Sequence, residues 1–248
     1  MQTAPGANMD DIDAATLKRL KGLAAFSSPQ LQKLANSLSI RHLKKHQIIF
    51  DQDEEAKLVY LVISGVVRCS YLNSNQKQIV VSLIPPGEFF GLDSFMPKMR
   101  HPFRCDAFET SVIGALKPEV LIKSLMGVPV ETFIPWYIAT MLAGRRMYVH
   151  CIRGIGLDVR KRLALELMNL AERFGTPDSR GVVILLRISH EILAGLVGAS
   201  RQQVTAHLNE FDREKIITRD RRRIIINVHK LRRIVELNGE HEPSAARP

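Results

Sequence analysis

The sequence predicts an α+β fold in three parts: a β-rich N-terminal domain over residues 10–128, a long helix and hinge over 129–157, and a smaller helical domain with a two-stranded hairpin over 158–238. Three observations lead there. Five short apolar runs, each ended by turn residues, fall between 41 and 117. One apolar stretch with helical spacing follows from 131 to 155. Beyond it, two short helical patterns meet at Gly198-Ala199 and precede two β-type runs around a block of arginines.

A chain of 248 residues, 46% hydrophobic and 24% charged, is long enough for two cores and too apolar for a disordered protein. No run reaches the roughly 18 apolar residues of a membrane helix. Residues 1–13 are polar and acidic rather than basic then apolar, so a cytoplasmic chain with no membrane partner is expected. Cys69, Cys105 and Cys151 lie far apart without a CxxC pair. That predicts small buried thiols, with no metal site and no iron–sulfur cluster. The net charge is +10, and the segment from Arg201 to Arg233, with ten Lys/Arg against four Asp/Glu, holds more than half of it. A polyanion is the expected partner of that segment.

In chain order, helices are expected over 14–22 and 28–37, the second with Ser28 as cap, Pro29 at its first position and an apolar face of Leu31, Leu34, Ala35 and Leu38. Strands are expected over 48–50, 59–63, 66–71, 79–84 and 111–116. Strands this short and closely spaced predict an antiparallel roll or barrel. A short helix over 119–125 precedes the long one over 131–155, which Pro135 interrupts near its start. There Phe133, Tyr137, Thr140, Gly144, Met147 and Cys151 step by four and three, the spacing of a helix–helix seam. Ile134, Ile138, Met141, Tyr148 and Ile152 make a second apolar face. A helix apolar on two faces packs on its own domain with one, and a second copy of the chain is the economical partner for the other, giving a homodimer. Gly154-Ile155-Gly156 permits a bend, and a helix over 158–174 and a strand over 182–186 follow.

Residues 189–211 carry the most chemistry. Ser189 caps a helix over 190–197, Gly198-Ala199 turns the chain, and Ser200 caps a second helix over 201–211. Small Ala194 allows a close helix crossing, Gly198 takes the tight turn, and Val204 anchors the second helix, with Ile192, Leu193, Val197 and Leu208 completing the apolar side. This is the constellation of a helix-turn-helix. Two β-type runs, 216–218 and 224–228, flank a basic turn as a wing in which Arg219, Arg221 and Arg222 are placed to meet phosphates. Reading of double-stranded DNA would fall to the start of the second helix: Ser200, Arg201, Gln202, Gln203 and Thr205. Arg201 suits guanine O6 and N7, Gln202 or Gln203 suits adenine N6 and N7, and Thr205 suits a phosphate or a thymine methyl.

On these residues the chain resembles the Crp/Fnr family over residues 17–228. Glu191-Ile192, Val197-Gly198 and Ser200-Arg201 resemble its DNA-binding signature. Pro86-Gly87-Glu88-Phe89-Phe90-Gly91 resembles the turn that opens its cyclic-nucleotide cassette, and Leu58 to Gly65 resembles one of its strands. The resemblance implies a β jelly-roll (cyclic-nucleotide-binding-like) sensor, a dimerisation helix, a winged helix-turn-helix, and RNA polymerase as a partner of those members that activate transcription. It also implies an effector pocket around Gly87, Phe90, Gly91, Leu92, Asp93, Arg100, His101 and Arg104. Members that bind cyclic AMP continue with Gly-Glu-Leu and later place Arg before Ser or Thr. Here Gly91-Leu92-Asp93 and His101-Pro102 stand instead, with Arg100 and Arg104 displaced, so an effector other than cyclic AMP is expected and no cofactor is predicted.

Haem on His101 or His150-Cys151, and a redox switch at Cys105 or Cys151, are the family's other options. In the recognition helix Gln202 replaces the family's Glu and Ala206 its second Arg, which predicts a different half-site within a palindrome. No nucleophile elbow, HExxH, Walker loop or dinucleotide fingerprint is present, so an enzyme is not expected. Two alternatives stay open: a regulator without effector whose β-domain only dimerises, and a non-specific nucleic-acid-binding protein.

Overall fold

The computed structural model describes residues 12–74, 78–220 and 223–236. The chain forms two compact units, divided between Tyr148 and Val149 inside the long helix.

The first unit runs α1 (Ala14–Lys18), α2 (Ser28–Ala35), β1 (Ser39–Leu43), β2 (Ile48–Phe50), β3 (Val59–Ser64), β4 (Val67–Leu72), β5 (Gln78–Ile84), β6 (Phe89–Phe90), β7 (Arg104–Ala107), β8 (Ser111–Leu116), α3 (Pro118–Leu125) and α4 (Val130–Ile155). Its strands form two antiparallel sheets, β1-β8-β3-β6 and β2-β7-β4-β5. Successive residues of a strand face opposite sides, and β3 buries both. Val59, Leu61 and Ile63 meet the helices through Leu17, Leu23, Leu31 and Leu121, while Tyr60 and Val62 meet Phe50, Val67, Cys105 and Ile113 between the sheets. This is why the segment reads as an unbroken apolar run rather than an alternating one.

Three strands escape the sequence reading. β1 and β7 are rich in polar and charged residues, and β6 is two residues long. β7 contains the buried Asp106, whose carboxylate accepts from Arg68 Nε (3.0 Å) and Nη2 (2.7 Å) on β4. The cap of α2 also shifts by one residue. Ser27 is the cap, its N–H donating to Gln30 Oε1 at 2.9 Å, so Ser28 and Pro29 open the helix.

α4 continues through Pro135, which sits early enough that the ring displaces only one backbone bond near the start. Of the expected seam, Phe133 and Thr140 are half-buried and face inward beside Trp136, whose ring meets Phe26 (6.0 Å) and Phe89 (5.8 Å) edge-on. Tyr137 of the same seam is exposed, as are Ile134, Ile138, Met141 and Leu142 on the neighbouring face, each more than two-fifths, and Tyr137 and Met141 also edge the groove toward α3. The side chains of Met147 and Cys151 lie outside the described residues, and Gly144 is exposed with open space around it. An apolar groove of about 620 Å³ runs between α4 and α3, floored by Phe89, Leu92, Leu121 and Trp136.

The second unit contains α5 (Val159–Phe174), β9 (Gly175–Asp178), β10 (Gly181–Ile184), α6 (His190–Val197), α7 (Arg201–Arg213), β11 (Ile217–Asp220), β12 (Arg223–Ile226) and α8 (Val228–Glu236). Asp158 caps α5, its Oδ1 accepting from Lys161 N–H at 2.8 Å. One sheet, β11-β12-β10-β9, backs helices whose buried faces carry Leu163, Leu167, Leu193, Val204, Leu208, Phe211 and Leu231. The expected turn at 175–181 is itself the strand β9 and a tight reversal, and α8 follows the wing where the sequence pattern marked no helix.

Removing Asp106 leaves the Arg68 guanidinium without its carboxylate in a site only 13% exposed. Asp106→Ala is expected to cost about 3–5 kcal/mol of stability in urea unfolding, the usual consequence of orphaning a buried charge. A loss below about 1 kcal/mol would show that water serves Arg68 instead.

Candidate nucleic-acid interface

α6 starts at Ser189, whose Oγ accepts from Ile192 N–H at 3.2 Å, and stops at Gly198, which turns the chain with φ +65°. Side chains other than glycine are strained in that left-handed conformation. Ser200 then starts α7 with a reciprocal cap. Its Oγ accepts from Gln203 N–H (3.2 Å), and Gln203 Oε1 accepts from Ser200 N–H (3.0 Å). Val204, Leu208 and Phe211 are buried, which turns Arg201, Gln202, Gln203, Ala206 and Asn209 outward and leaves Thr205 half-buried.

α7 is also held from its two ends and its flank. Arg160 on α5 donates to Glu210 (3.0 Å) and Glu214 (2.6 Å) and lies over the Phe211 ring at 4.8 Å. The bond from His207 and the pairing with Arg160 hold the Glu210 carboxyl below its usual range. Lys230 on α8 donates to the Glu214 (3.4 Å) and Lys215 (3.1 Å) carbonyls just beyond the helix. A cation at a helix C-terminus is favourable, so part of the basic charge in this segment stabilises the fold.

The expected contact residues therefore divide by what already holds them. Arg201 and Gln202 are exposed at the helix start, where a groove-reading helix presents its side chains. Gln203 has its amide oxygen engaged in the cap, so a two-point pairing with adenine would fall to Gln202. The Thr205 hydroxyl donates to Arg201 O at 2.8 Å and meets His190 Nδ1 at 2.8 Å, leaving its methyl group for contact. Arg219 lies on β11 rather than in the turn, with Nη2 donating to Asn209 Oδ1 at 2.9 Å, which braces the wing against α7. Arg221 and Arg222 lie outside the described residues.

Residues 40–126 match the cyclic nucleotide-binding domain and residues 161–234 match the Crp-like helix-turn-helix domain. The chain belongs to the Crp/Fnr family of transcription regulators. It is 25% identical to the global nitrogen regulator of Synechococcus elongatus over 192 residues, 76% of this chain and 86% of the relative. It is 26% identical to the anaerobic regulatory protein of Bacillus subtilis over 208 residues, 82% and 85% of the two chains. The fold is shared with a CRP-family transcriptional regulator from Thermus thermophilus (TM-score 0.63, 22% identity, 79% of this chain and 96% of that one). It is likewise shared with a mutant of CooA from Carboxydothermus hydrogenoformans (TM-score 0.69, 20% identity, 91% and 96%). DNA-binding transcription regulation is thus the class of function that the family supports, and α6 and α7 lie within the matched helix-turn-helix domain.

In the family's cyclic-nucleotide region, the structure brings Phe90, Asp93 and His101 of the residues named from sequence around Phe50 and directs others elsewhere. Phe90 and His101 point between the sheets, where His101 is 2% exposed and stacks on Phe50 at 3.7 Å, with Nδ1 at 3.4 Å from Asp93. Leu92 faces the helices, and Gly87 backs onto Gly22. Gly91 turns the chain with φ +72° where a Cβ would meet the Tyr60 ring at 2.9 Å.

The cations nearby are engaged. Arg104 forks onto Asp51 (2.9 and 2.6 Å), holding that carboxyl below its usual range, and Arg100 donates to the Asp53 carbonyl. Cys105 lies directly across from Cys69 on β4, a pairing invisible in sequence, and burial pushes its thiol well above the ordinary value. A raised thiol is a poor nucleophile.

Gln203→Ala opens the cap, and is expected to lower thermal stability by about 1 kcal/mol while leaving base preference intact. Gln202→Ala is expected to do the reverse, costing about 1–3 kcal/mol of discrimination at one base pair. Competition binding with single-base variants of a bound duplex separates the two, and equal loss of preference from both would refute the division.

Proposed function

We propose that this chain is a homodimeric, sequence-specific DNA-binding regulator that works in the cytoplasm under an effector other than cyclic AMP. The observation that carries the reading is the capped start of α7. It presents Arg201 and Gln202 outward, beside a wing whose Arg219 is braced to the same helix. Two copies would join along the outward face of α4, where Ile134, Ile138, Met141 and Leu142 form an exposed stripe at helical spacing. A two-fold dimer pairs two recognition helices, which calls for a palindrome with half-sites about one helical turn apart.

The engaged state of Arg68, Arg100 and Arg104 supports the exclusion of cyclic AMP, whose phosphate needs a free cation. Signal transfer follows from the layout. An effector bound in the β-domain would bias α4, and α4 leads through the Gly156 bend to the DNA-binding unit. This coupling separates the reading from a regulator whose β-domain is only a scaffold.

Selection of bound duplexes from a random pool, at fixed salt with and without cyclic AMP, tests it. The expected result is a palindromic motif enriched equally under both conditions. A motif that appears only with cyclic AMP would overturn the effector assignment, and binding without any preferred motif would favour the non-specific alternative.

A further inference from the structure

Among the groups the DNA-reading scheme does not use, His190 stands out. It is the first residue of α6, half-buried, with its ring turned toward α7. Its Nδ1 lies 2.8 Å from Thr205 Oγ1, and that same oxygen lies 2.8 Å from the Arg201 carbonyl. A carbonyl cannot donate, so the single hydroxyl proton of Thr205 goes to Arg201 O. Thr205 must then accept from His190, which places a proton on Nδ1.

The tautomer is thereby fixed, and Nε2 becomes the ring atom that changes with pH. Among the described residues no hydrogen-bond partner holds Nε2. The charges acting on the ring are Arg201 from α7 and Arg219 from β11, both cationic, while Glu191 beside it on α6 is exposed. Burial first, and these two guanidinium groups next, lower the pKa of the imidazole below the ordinary value. In the free chain at neutral pH, His190 is therefore mostly neutral.

We propose that His190 is a proton-coupled phosphate contact of the DNA interface, charged when DNA is bound and neutral when it is free. The proposal rests on the DNA-binding reading and adds a residue and a condition to it. A phosphate oxygen placed between Arg201, Arg219 and the ring would take a hydrogen bond from protonated Nε2, whereas neutral Nε2 is an acceptor that would repel it. The sign follows from linkage. Bound phosphate raises the pKa of the ring, so binding takes up a proton, and affinity falls as pH rises from the free-state pKa through the bound-state pKa. Because the contact is to backbone, the effect is the same on every sequence.

The test is equilibrium binding of the full chain to the selected duplex and to a scrambled duplex of equal length, between about pH 6 and pH 8 at fixed ionic strength. Wild type is expected to weaken by roughly three- to sixfold over that range on both duplexes, because a one-unit rise in the pKa of one histidine is worth at most about tenfold across its whole titration and part of that lies below pH 6. His190→Gln should flatten this slope. His190→Arg should flatten it while keeping the tight binding seen at low pH. Thr205→Val, which removes the acceptor and keeps the shape, should weaken the slope, and His207→Gln should retain it. A slope that survives in both His190 variants overturns the inference while leaving the DNA-binding reading intact. Failure of wild type to bind either duplex at any pH overturns that reading as well.

Discussion

The packing of α6 and α5 against the buried side of α7 fixes everything the interface can do. Val204, Leu208 and Phe211 are fully buried, and burying that stripe decides which residues of α7 remain outside. Arg160 adds a second constraint from α5, holding Glu210 and Glu214 at one end, while the reciprocal Ser200–Gln203 cap holds the other. A recognition helix needs this rigidity. Direct readout depends on hydrogen bonds of defined length, and a helix free to roll would present Arg201 and Gln202 to no base in particular. The same packing places the His190 ring against Thr205, so the interface holds a titratable group in one orientation rather than a mobile one.

Much of this was legible in the sequence because it depends on local chemistry. Ser189, Gly198 and Ser200 are start and stop signals whose meaning does not need a partner, and each stands in its expected place. The division of labour between Gln202 and Gln203 was not legible. Either amide could reach a base from its position along the helix, and only the reciprocal bond to Ser200 removes one of them. His190 was missed for a similar reason. Fifteen residues separate it from Thr205, and a capped first turn gives no hint of what its side chain faces.

The β-domain shows the opposite balance. Its architecture follows from short apolar runs, but strands that owe their place to neighbours do not announce themselves. β7 reads as Arg-Cys-Asp-Ala, and its aspartate becomes compatible with burial through Arg68 on the next strand, with His46 4.0 Å away. The same non-local logic holds in the cyclic-nucleotide region. His101 fills space against Phe50, and Arg104 is committed to Asp51, so two residues close together in the chain serve separate structural ends. On α4, spacing alone could not rank two apolar faces. Trp136 docks on Phe26 and Phe89, which leaves Ile134, Tyr137 and Ile138 exposed.

The central claim is that two copies of α7, joined through α4, read a two-fold site. Hydroxyl-radical footprinting on the duplex with the strongest affinity tests it most directly. The account predicts two symmetric patches of backbone protection centred about one helical turn apart on one face of the duplex, with the basic wings extending each patch outward. A single patch, or protection spread evenly along the duplex, would contradict it.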